Sequence, residues 1–251
     1  MGMFKYLRLG FRLLLELFVG YLFIILPNVW FKKRIPLSIR YARLRKIIHG
    51  LYRTLRIQLY LDHPEVTKEK GPYFIVCNHH SMLDPFLLIY LFENPVRFIA
   101  KKEVRRSFIF GDATASIDAL FINRKSVRSQ LDQLEVMKRS LMQKDTHWLA
   151  FPEATRNKQY SNPMLPFKAG TFKQAMEAKA TILPMVTYGF FRPLDPKIDW
   201  KKYPVQVDFL DKISPDMYEG KSTIEVAEMV KNLMQLRSDK MRLLDATLPR
   251  K

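Results

Sequence analysis

The stretch YFIVCNHHSMLDP, residues 73–85, decides the fold because it changes character twice within a few positions. Residues 73–77 are apolar, which predicts a strand. Asp84-Pro85 predicts the start of a helix, since proline is favoured at the first helical position. A strand that passes through a short polar turn into a helix is the unit from which α/β proteins are built.

The rest of the chain repeats this alternation. Further strands are predicted at residues 96–100, 120–122, 147–151, 182–190 and 205–210. Helices are predicted at residues 85–93, 126–144, 172–179 and 223–244, the last capped by Ser222 or Thr223. Strands that alternate with helices predict an α/β layer fold, in which functional sites gather at strand-to-helix turns.

His79 and Asp84 are the first candidates for chemistry. Five residues apart, they would diverge by about 140° on a continuous helix, so they meet only across a turn. A carboxylate against one imidazole nitrogen would leave the other nitrogen to take a proton from a hydroxyl. Asp84 could also be an ordinary helix cap, which is compatible with the pairing, and His79 could instead be a turn residue that bonds backbone groups. No cysteine or histidine pair has the spacing of a zinc site.

A second cluster follows the strand that ends at Phe151. It contains Glu153, Thr155 and Arg156; an arginine at such a turn can bind phosphate in bidentate fashion, and threonine adds a hydroxyl donor. Glu153 is interpreted as a partner for a substrate hydroxyl or for Arg156, the alternative being a solvated Glu-Arg pair. Three more basic residues follow other strands and could line a phosphate site together: Lys101, Lys102 and Arg124. Taken singly, each is more often a plain surface charge.

Charge is concentrated at the amino terminus. The 251 residues carry a formal charge of +18, and residues 1–60 contain 12 lysines and arginines but only one acid, Glu16. An apolar run covers residues 13–26 and is interrupted at Pro27. Because the run is short and contains a charge, it fits a segment that dips into a single leaflet as well as it fits one tilted membrane span. Leucines and isoleucines at helical spacing over residues 40–61 predict a basic amphipathic helix, either on an anionic membrane or facing the core.

The chain has no zinc-finger spacing, RNA-binding signature or clear recognition helix, so the sequence favours anionic lipid over nucleic acid as the partner of this basic excess. The only cysteine, Cys77, ends the first strand and is interpreted as a small buried residue rather than a nucleophile. No intrachain disulfide is therefore possible, which suits a reducing cytosolic side.

Four blocks in order resemble the glycerolipid acyltransferases, specifically the 1-acyl-sn-glycerol-3-phosphate acyltransferases. They are NHHSMLD (78–84), which matches the family's His-x4-Asp motif, FINR (121–124), FPEATR (151–156) and ILPM (182–185). Two residues depart from the family pattern. Ala154 stands where glycine is usual, which would be strained if the position needs a positive φ, and Asn123 stands where aspartate is common.

The resemblance implies an α/β fold with a mixed sheet flanked by helices and an N-terminal membrane-associated helical segment. It divides the chain into an anchoring segment, 1–65, and a catalytic domain, 66–251, on the cytoplasmic face of the cell membrane. It implies that His79, oriented by Asp84, activates the hydroxyl of lysophosphatidic acid for attack on an acyl thioester of acyl carrier protein or coenzyme A. The phosphate would be bound by the basic residues, and no metal or other cofactor is implied.

Other functions remain open beside this one. The acceptor could be glycerol 3-phosphate or another lysophospholipid, the same pair could hydrolyse a lipid, or the chain could be a non-catalytic membrane scaffold. The sequence predicts neither acyl-chain length nor oligomeric state.

Overall fold

A mixed sheet flanked by helices forms the body of the protein, as the family resemblance implies. The structure, a computed structural model, describes residues 2–123, 125–160, 163–195 and 197–250. Within these residues seven strands form one sheet in the order β1-β7-β6-β2-β5-β3-β4. The strands are β1 (Ile57–Asp62), β2 (Phe74–Cys77), β3 (Val96–Lys101), β4 (Leu120–Ile122), β5 (His147–Ala150), β6 (Ile182–Tyr188) and β7 (Tyr203–Phe209).

Strand direction divides the sheet into two parts. Strands β6, β2, β5, β3 and β4 are parallel to one another, so their carboxyl ends lie at one edge. Strand β7 runs antiparallel to β6 and parallel to β1, so the carboxyl ends of β1 and β7 lie at the opposite edge. The turns that carry the predicted site residues therefore share one edge of the parallel part.

Helices cover both faces of the sheet. They are α1 (Gly2–Gly20), α2 (Leu26–Trp30), α3 (Leu37–Thr54), α4 (Asp84–Leu91), α5 (Phe110–Ser116), α6 (Val127–Gln143), α7 (Lys173–Glu177), α8 (Pro215–Tyr218) and α9 (Thr223–Asp245). Short 3₁₀ helices lie at Pro64–Lys68, Lys102–Arg106, Ala169–Thr171 and Arg192–Leu194. Ser222 caps α9 in a capping box with Glu225.

Alternation along β2 divides the core into two layers. Ile75 and Cys77 pack with α3 and α4 on one face, whereas Phe74 and Val76 pack with α6, α7 and α9 on the other. All four side chains are buried, because a central parallel strand is covered on both sides. The buried, apolar character of residues 74–77 thus follows from their place in the middle of the sheet.

The helix predicted over residues 40–61 is partly wrong. Helix α3 ends at Thr54, Arg56 adopts a left-handed conformation with φ of 58°, and residues 57–62 form β1 instead. The left-handed residue stops the helix, and parallel pairing of Ile57 with Tyr203 satisfies the backbone beyond it. The segment before residue 65 therefore supplies an edge strand of the sheet, while the predicted domain division at that residue stays a prediction.

The apolar amino-terminal run is helical through Pro27. A π-helical stretch, Tyr21–Ile25, joins α1 to α2, which accommodates a proline that cannot donate a backbone hydrogen bond. One helix, Gly10–Trp30, is long and apolar enough to cross a membrane by length and composition. Several of its large side chains are exposed, among them Leu14, Phe18, Phe23 and Trp30.

Candidate active site

The candidate site lies at the edge where the parallel strands end. The turn after β2 carries His79, the turn after neighbouring β5 carries residues 151–157, and β3, next to β5, ends at Lys101. Adjacent strands are about 4.8 Å apart, so the ends of β2 and β3 are separated by about 10 Å. The fold thus brings both predicted clusters to one edge of the sheet.

The turn after β2 pairs His79 with Asp84. Nδ1 of His79 lies 2.8 Å from Oδ2 of Asp84, which is completely buried. The same Oδ2 accepts hydrogen bonds from the backbone N–H groups of His80 and Ser81, both at 2.8 Å. The side chain of His79 is 18% exposed, and its Nε2 is the nitrogen left for an external proton.

The alternative role for Asp84 as a helix cap is wrong. A cap accepts hydrogen bonds from residues that follow it in the helix, whereas Asp84 accepts them from His80 and Ser81, which precede it. The N-cap position of α4 is Leu83, whose side chain makes no capping hydrogen bond. The carboxylate is therefore turned back towards the loop, where it orients the imidazole of His79.

The backbone of His79 is held on both sides by residues that follow β5. Its N–H donates to Oε1 of Glu153 at 2.8 Å, and its carbonyl accepts from the N–H of Asn157 at 2.7 Å. Its imidazole stacks on the ring of Phe151, with ring centroids 4.1 Å apart and planes 20° apart. The loop after β5 therefore fixes both the backbone and the ring plane of His79.

Glu153 is buried rather than open to a ligand. Only 2% of it is exposed, and its second oxygen, Oε2, accepts from the N–H of Leu165 at 3.0 Å. Burial raises the pKa of Glu153, and the two backbone donors act in the opposite direction. In this structure Glu153 joins the turn of His79 to the segment at Leu165, whereas its predicted contact with a substrate hydroxyl stays a prediction.

The predicted phosphate ligands are placed unevenly. Thr155 and Arg156 are exposed, and Arg156 directly precedes the residue whose N–H binds the carbonyl of His79. Lys101 and Lys102 are exposed two strands away. Arg124 lies outside the described residues. Among the predicted phosphate ligands that the structure describes, Arg156 is thus the one whose neighbour in the chain is bonded to the His79 turn.

The sequence alone does not reveal the structural roles of two asparagines in the site, Asn78 and Asn157. Asn78 binds the backbone of Thr187 twice: its Nδ2 donates to the carbonyl at 2.9 Å, and its Oδ1 accepts from the N–H at 2.8 Å. Asn157 holds the carbonyl of His79 through its backbone. Because both act by binding backbone groups, only their place in the fold reveals them, although Asn78 lies within the His-x4-Asp block.

Cys77 is buried at the end of β2, as predicted. Burial, with the nearby charge of Asp84, raises the pKa of its thiol well above the usual value. A thiol that stays protonated and out of contact with solvent is a poor nucleophile. Cys77 is therefore not suited to carry an acyl group.

Ala154 occupies a left-handed backbone conformation with φ of 58°. Ala154 is therefore strained, as expected for alanine at a position with a positive φ, because an L-residue with a Cβ is disfavoured there. We expect Ala154→Gly to raise the free energy of unfolding by about 1 kcal/mol, the relieved strain exceeding the entropy that glycine adds to the unfolded chain. Chemical denaturation measures the change.

Ala178→Gly is the matched control for this substitution. Ala178 has φ of −80° and ψ of −1°, a conformation that alanine prefers to glycine. The control variant should be less stable than the parent protein, so the two substitutions should act in opposite directions. A loss of stability in Ala154→Gly would show that the backbone at residue 154 is not strained.

Comparisons with known proteins agree with the predicted resemblance. Residues 58–188 match the family model described as acyltransferase. The chain is 28% identical over 162 residues to the 1-acyl-sn-glycerol-3-phosphate acyltransferase of Cocos nucifera, covering 62% of this chain and 50% of that one. It is 28% identical over 208 residues to the probable enzyme of that name from Mycoplasma pneumoniae, covering 78% and 76%.

A solved structure has the same fold. The 1-acyl-sn-glycerophosphate (LPA) acyltransferase of Thermotoga maritima superposes with a TM-score of 0.69 over 93% of this chain and 98% of that one, at 17% sequence identity. The chain thus spans half the length of the coconut relative but nearly all of this structure.

Proposed function

The chain belongs to the acyltransferase family, and from this we propose that it transfers a fatty acyl group from a thioester to the sn-2 hydroxyl of lysophosphatidic acid, forming phosphatidic acid. The names of its relatives from Cocos nucifera and Mycoplasma pneumoniae support this acceptor. The observation that carries the reaction type is the 2.8 Å contact between Nδ1 of His79 and Oδ2 of Asp84.

In the proposed reaction His79 acts as general base. Asp84 keeps the proton on Nδ1, so Nε2 accepts the proton of the acceptor hydroxyl as its oxygen attacks the thioester carbonyl. The imidazolium that forms is stabilised by the buried carboxylate of Asp84. The tetrahedral intermediate then collapses, the carbon–sulfur bond breaks, and the leaving sulfur takes the proton from Nε2.

This route needs neither an acyl-enzyme nor a cofactor. The acceptor oxygen attacks the thioester directly, and the nearby thiol of Cys77 is buried. His79 takes the proton from the acceptor hydroxyl and returns it to the leaving sulfur, so all protons are accounted for. We therefore propose that no metal or prosthetic group takes part. The donor is the thioester of either acyl carrier protein or coenzyme A, both of which are acidic partners for a chain of charge +18.

We propose that exposed cations hold the acceptor phosphate. Arg156 is the main ligand because its neighbour Asn157 is bound to the carbonyl of His79, and Thr155 adds a hydroxyl. The proposed site also includes Lys101, Lys102 and Arg124. A phosphate bound at this edge would place the glycerol hydroxyl next to His79.

The test is a direct product assay with the full chain in detergent or lipid. Given lysophosphatidic acid and an acyl thioester, it should form phosphatidic acid. We expect Arg156→Ala to raise the KM for lysophosphatidic acid about tenfold or more with a smaller effect on kcat, because a charge-assisted contact to phosphate is lost.

Arg139→Ala is the matched control for Arg156→Ala. Arg139 is exposed near the end of α6, which leads back to the start of β5 at the opposite edge of the sheet. Its removal should leave the KM unchanged. An unchanged KM in Arg156→Ala would show that Arg156 does not bind the phosphate. If product formed only from glycerol 3-phosphate, that molecule would be the acceptor in place of lysophosphatidic acid.

We propose that the amino-terminal helix enters one leaflet of the cell membrane, with the catalytic domain on the cytoplasmic face. Polar contacts along the helix support insertion without spanning. Oη of Tyr21 donates to Asp112 of α5 at 2.9 Å, and Nδ2 of buried Asn28 donates to the carbonyl of Arg40 at 3.1 Å. A helix fastened to the globular domain at its middle and end cannot be surrounded by lipid along its length.

Aspartates on the exposed face of this helix should release the protein from membranes. Phe18 is 58% exposed and Phe23 is 74% exposed, so Phe18→Asp with Phe23→Asp places two charges in the surface proposed to enter the lipid. We expect sedimentation with anionic vesicles to be largely lost. Leu243→Asp, at an exposed position on α9, is the control and should sediment as the parent does; continued sedimentation of the double variant would assign the anchor to another surface.

A further inference from the structure

The second carboxylate oxygen of Asp84 is buried without a donor. Its Oδ2 accepts three N–H groups, yet among the described residues Oδ1 has no hydrogen-bond partner. Burial of a charged group's oxygen without a hydrogen bond is costly in free energy, so such an oxygen normally has a donor within reach.

Tyr52 is the second unpaired group in the same layer. It lies in α3 and is 3% exposed, and its Oη has no partner in the described part of the chain. Its ring stacks on Tyr90 of α4, with centroids 4.7 Å apart and planes 11° apart, and contacts Phe190 at 5.5 Å. Since α4 begins at Asp84, this stacking fixes Tyr52 against the helix that carries the carboxylate.

The hydroxyl of Tyr52 is suited to donate rather than accept. Burial raises its pKa well above the usual value, and the negative charge of Asp84 raises it further. The phenol therefore keeps its proton and is available as a hydrogen-bond donor. Among the described residues, a buried neutral donor without an acceptor and a buried carboxylate oxygen without a donor are chemically complementary.

We propose that Tyr52 is a positioning residue for the catalytic pair: its hydroxyl donates to one bound water molecule, which in turn donates a hydrogen bond to Oδ1 of Asp84. The bond draws negative charge towards Oδ1 and so sets how strongly Oδ2 holds the Nδ1 proton of His79. Its catalytic meaning rests on the proposed function, but the contact itself does not. The amino-terminal segment then supplies part of the site as well as the anchor.

The proton on Nδ1 of His79 gives a direct readout in the absence of substrate. The chain has five histidines, and His79→Ala identifies the resonance by its disappearance from the proton NMR spectrum of nitrogen-labelled protein. In Tyr52→Phe, charge returns to Oδ2, the bond to Nδ1 strengthens, and the resonance should move downfield. Tyr41→Phe is the matched control, since Tyr41 is buried in the same helix but its hydroxyl faces the carbonyl of Leu88.

A second variant gives a shift of opposite sign. Incorporation of 3-fluorotyrosine at position 52 makes the phenol a stronger donor, so the same resonance should move upfield. A resonance that stays in place in both variants, or moves equally in Tyr41→Phe, overturns the proposal. Because the spectrum is read without turnover, a failure of the phosphatidic acid assay would count against the proposed function and leave this test intact.

Discussion

Replacement of His79 by alanine is expected to lower the rate of acyl transfer by about 10²- to 10⁴-fold, the range that a positioned general base contributes. The imidazole is the group whose Nδ1 is held by Asp84 and whose Nε2 remains for the acceptor hydroxyl. Its loss leaves the proposed phosphate ligands in place, so kcat should fall while the KM for lysophosphatidic acid changes little. The phosphatidic acid assay measures both.

The chain contains its own control for this prediction. His63 also contacts a carboxylate, with Nδ1 2.8 Å from Oδ1 of Asp208, and this contact raises the pKa of the ring. That pair lies at the carboxyl ends of β1 and β7, at the opposite edge of the sheet. His63→Ala should therefore leave kcat unchanged, whereas full activity in a folded His79→Ala protein would refute the general-base mechanism.

The sequence predicts the His79 turn because its information is local. An apolar strand, a polar turn and a helix that starts at Asp84 require the chain to bend where the two side chains must meet, and the structure has that bend. The same reasoning places residues 151–156 after a neighbouring strand, since parallel strands end at one edge. The roles of these residues in catalysis stay predictions.

Long-range pairing is what the sequence could not supply. Helical spacing continues through Leu55 and Leu59, so residues 57–61 were expected to be helical, but pairing with β7, almost 150 residues later, makes them a strand. Glu153 is a similar case. Its charge and the nearby Arg156 predict a partner for a substrate hydroxyl or for Arg156, with a solvated pair as the alternative. Only the tertiary structure shows that its oxygens bind the amides of His79 and Leu165.

Glu153→Ala should damage both the fold and the reaction. Removal of this buried carboxylate leaves the N–H groups of His79 and Leu165 without acceptors, at a cost of about 1–3 kcal/mol each, and opens a cavity. We expect the free energy of unfolding to fall by about 3 kcal/mol. Because displacement of a catalytic group by 1 Å can cost about 100-fold in rate, kcat should fall by a similar factor.

Glu153→Gln separates this structural role from substrate binding. An amide keeps the shape of the side chain and one acceptor but turns a donor towards the second N–H, so its stability should lie between those of the parent and Glu153→Ala. Glu177→Ala, which removes an exposed carboxylate, should change stability by less than about 0.5 kcal/mol. If Glu153→Ala instead kept its stability and raised only the KM for lysophosphatidic acid, Glu153 would be a substrate ligand, and the turn of His79 would be held by other contacts.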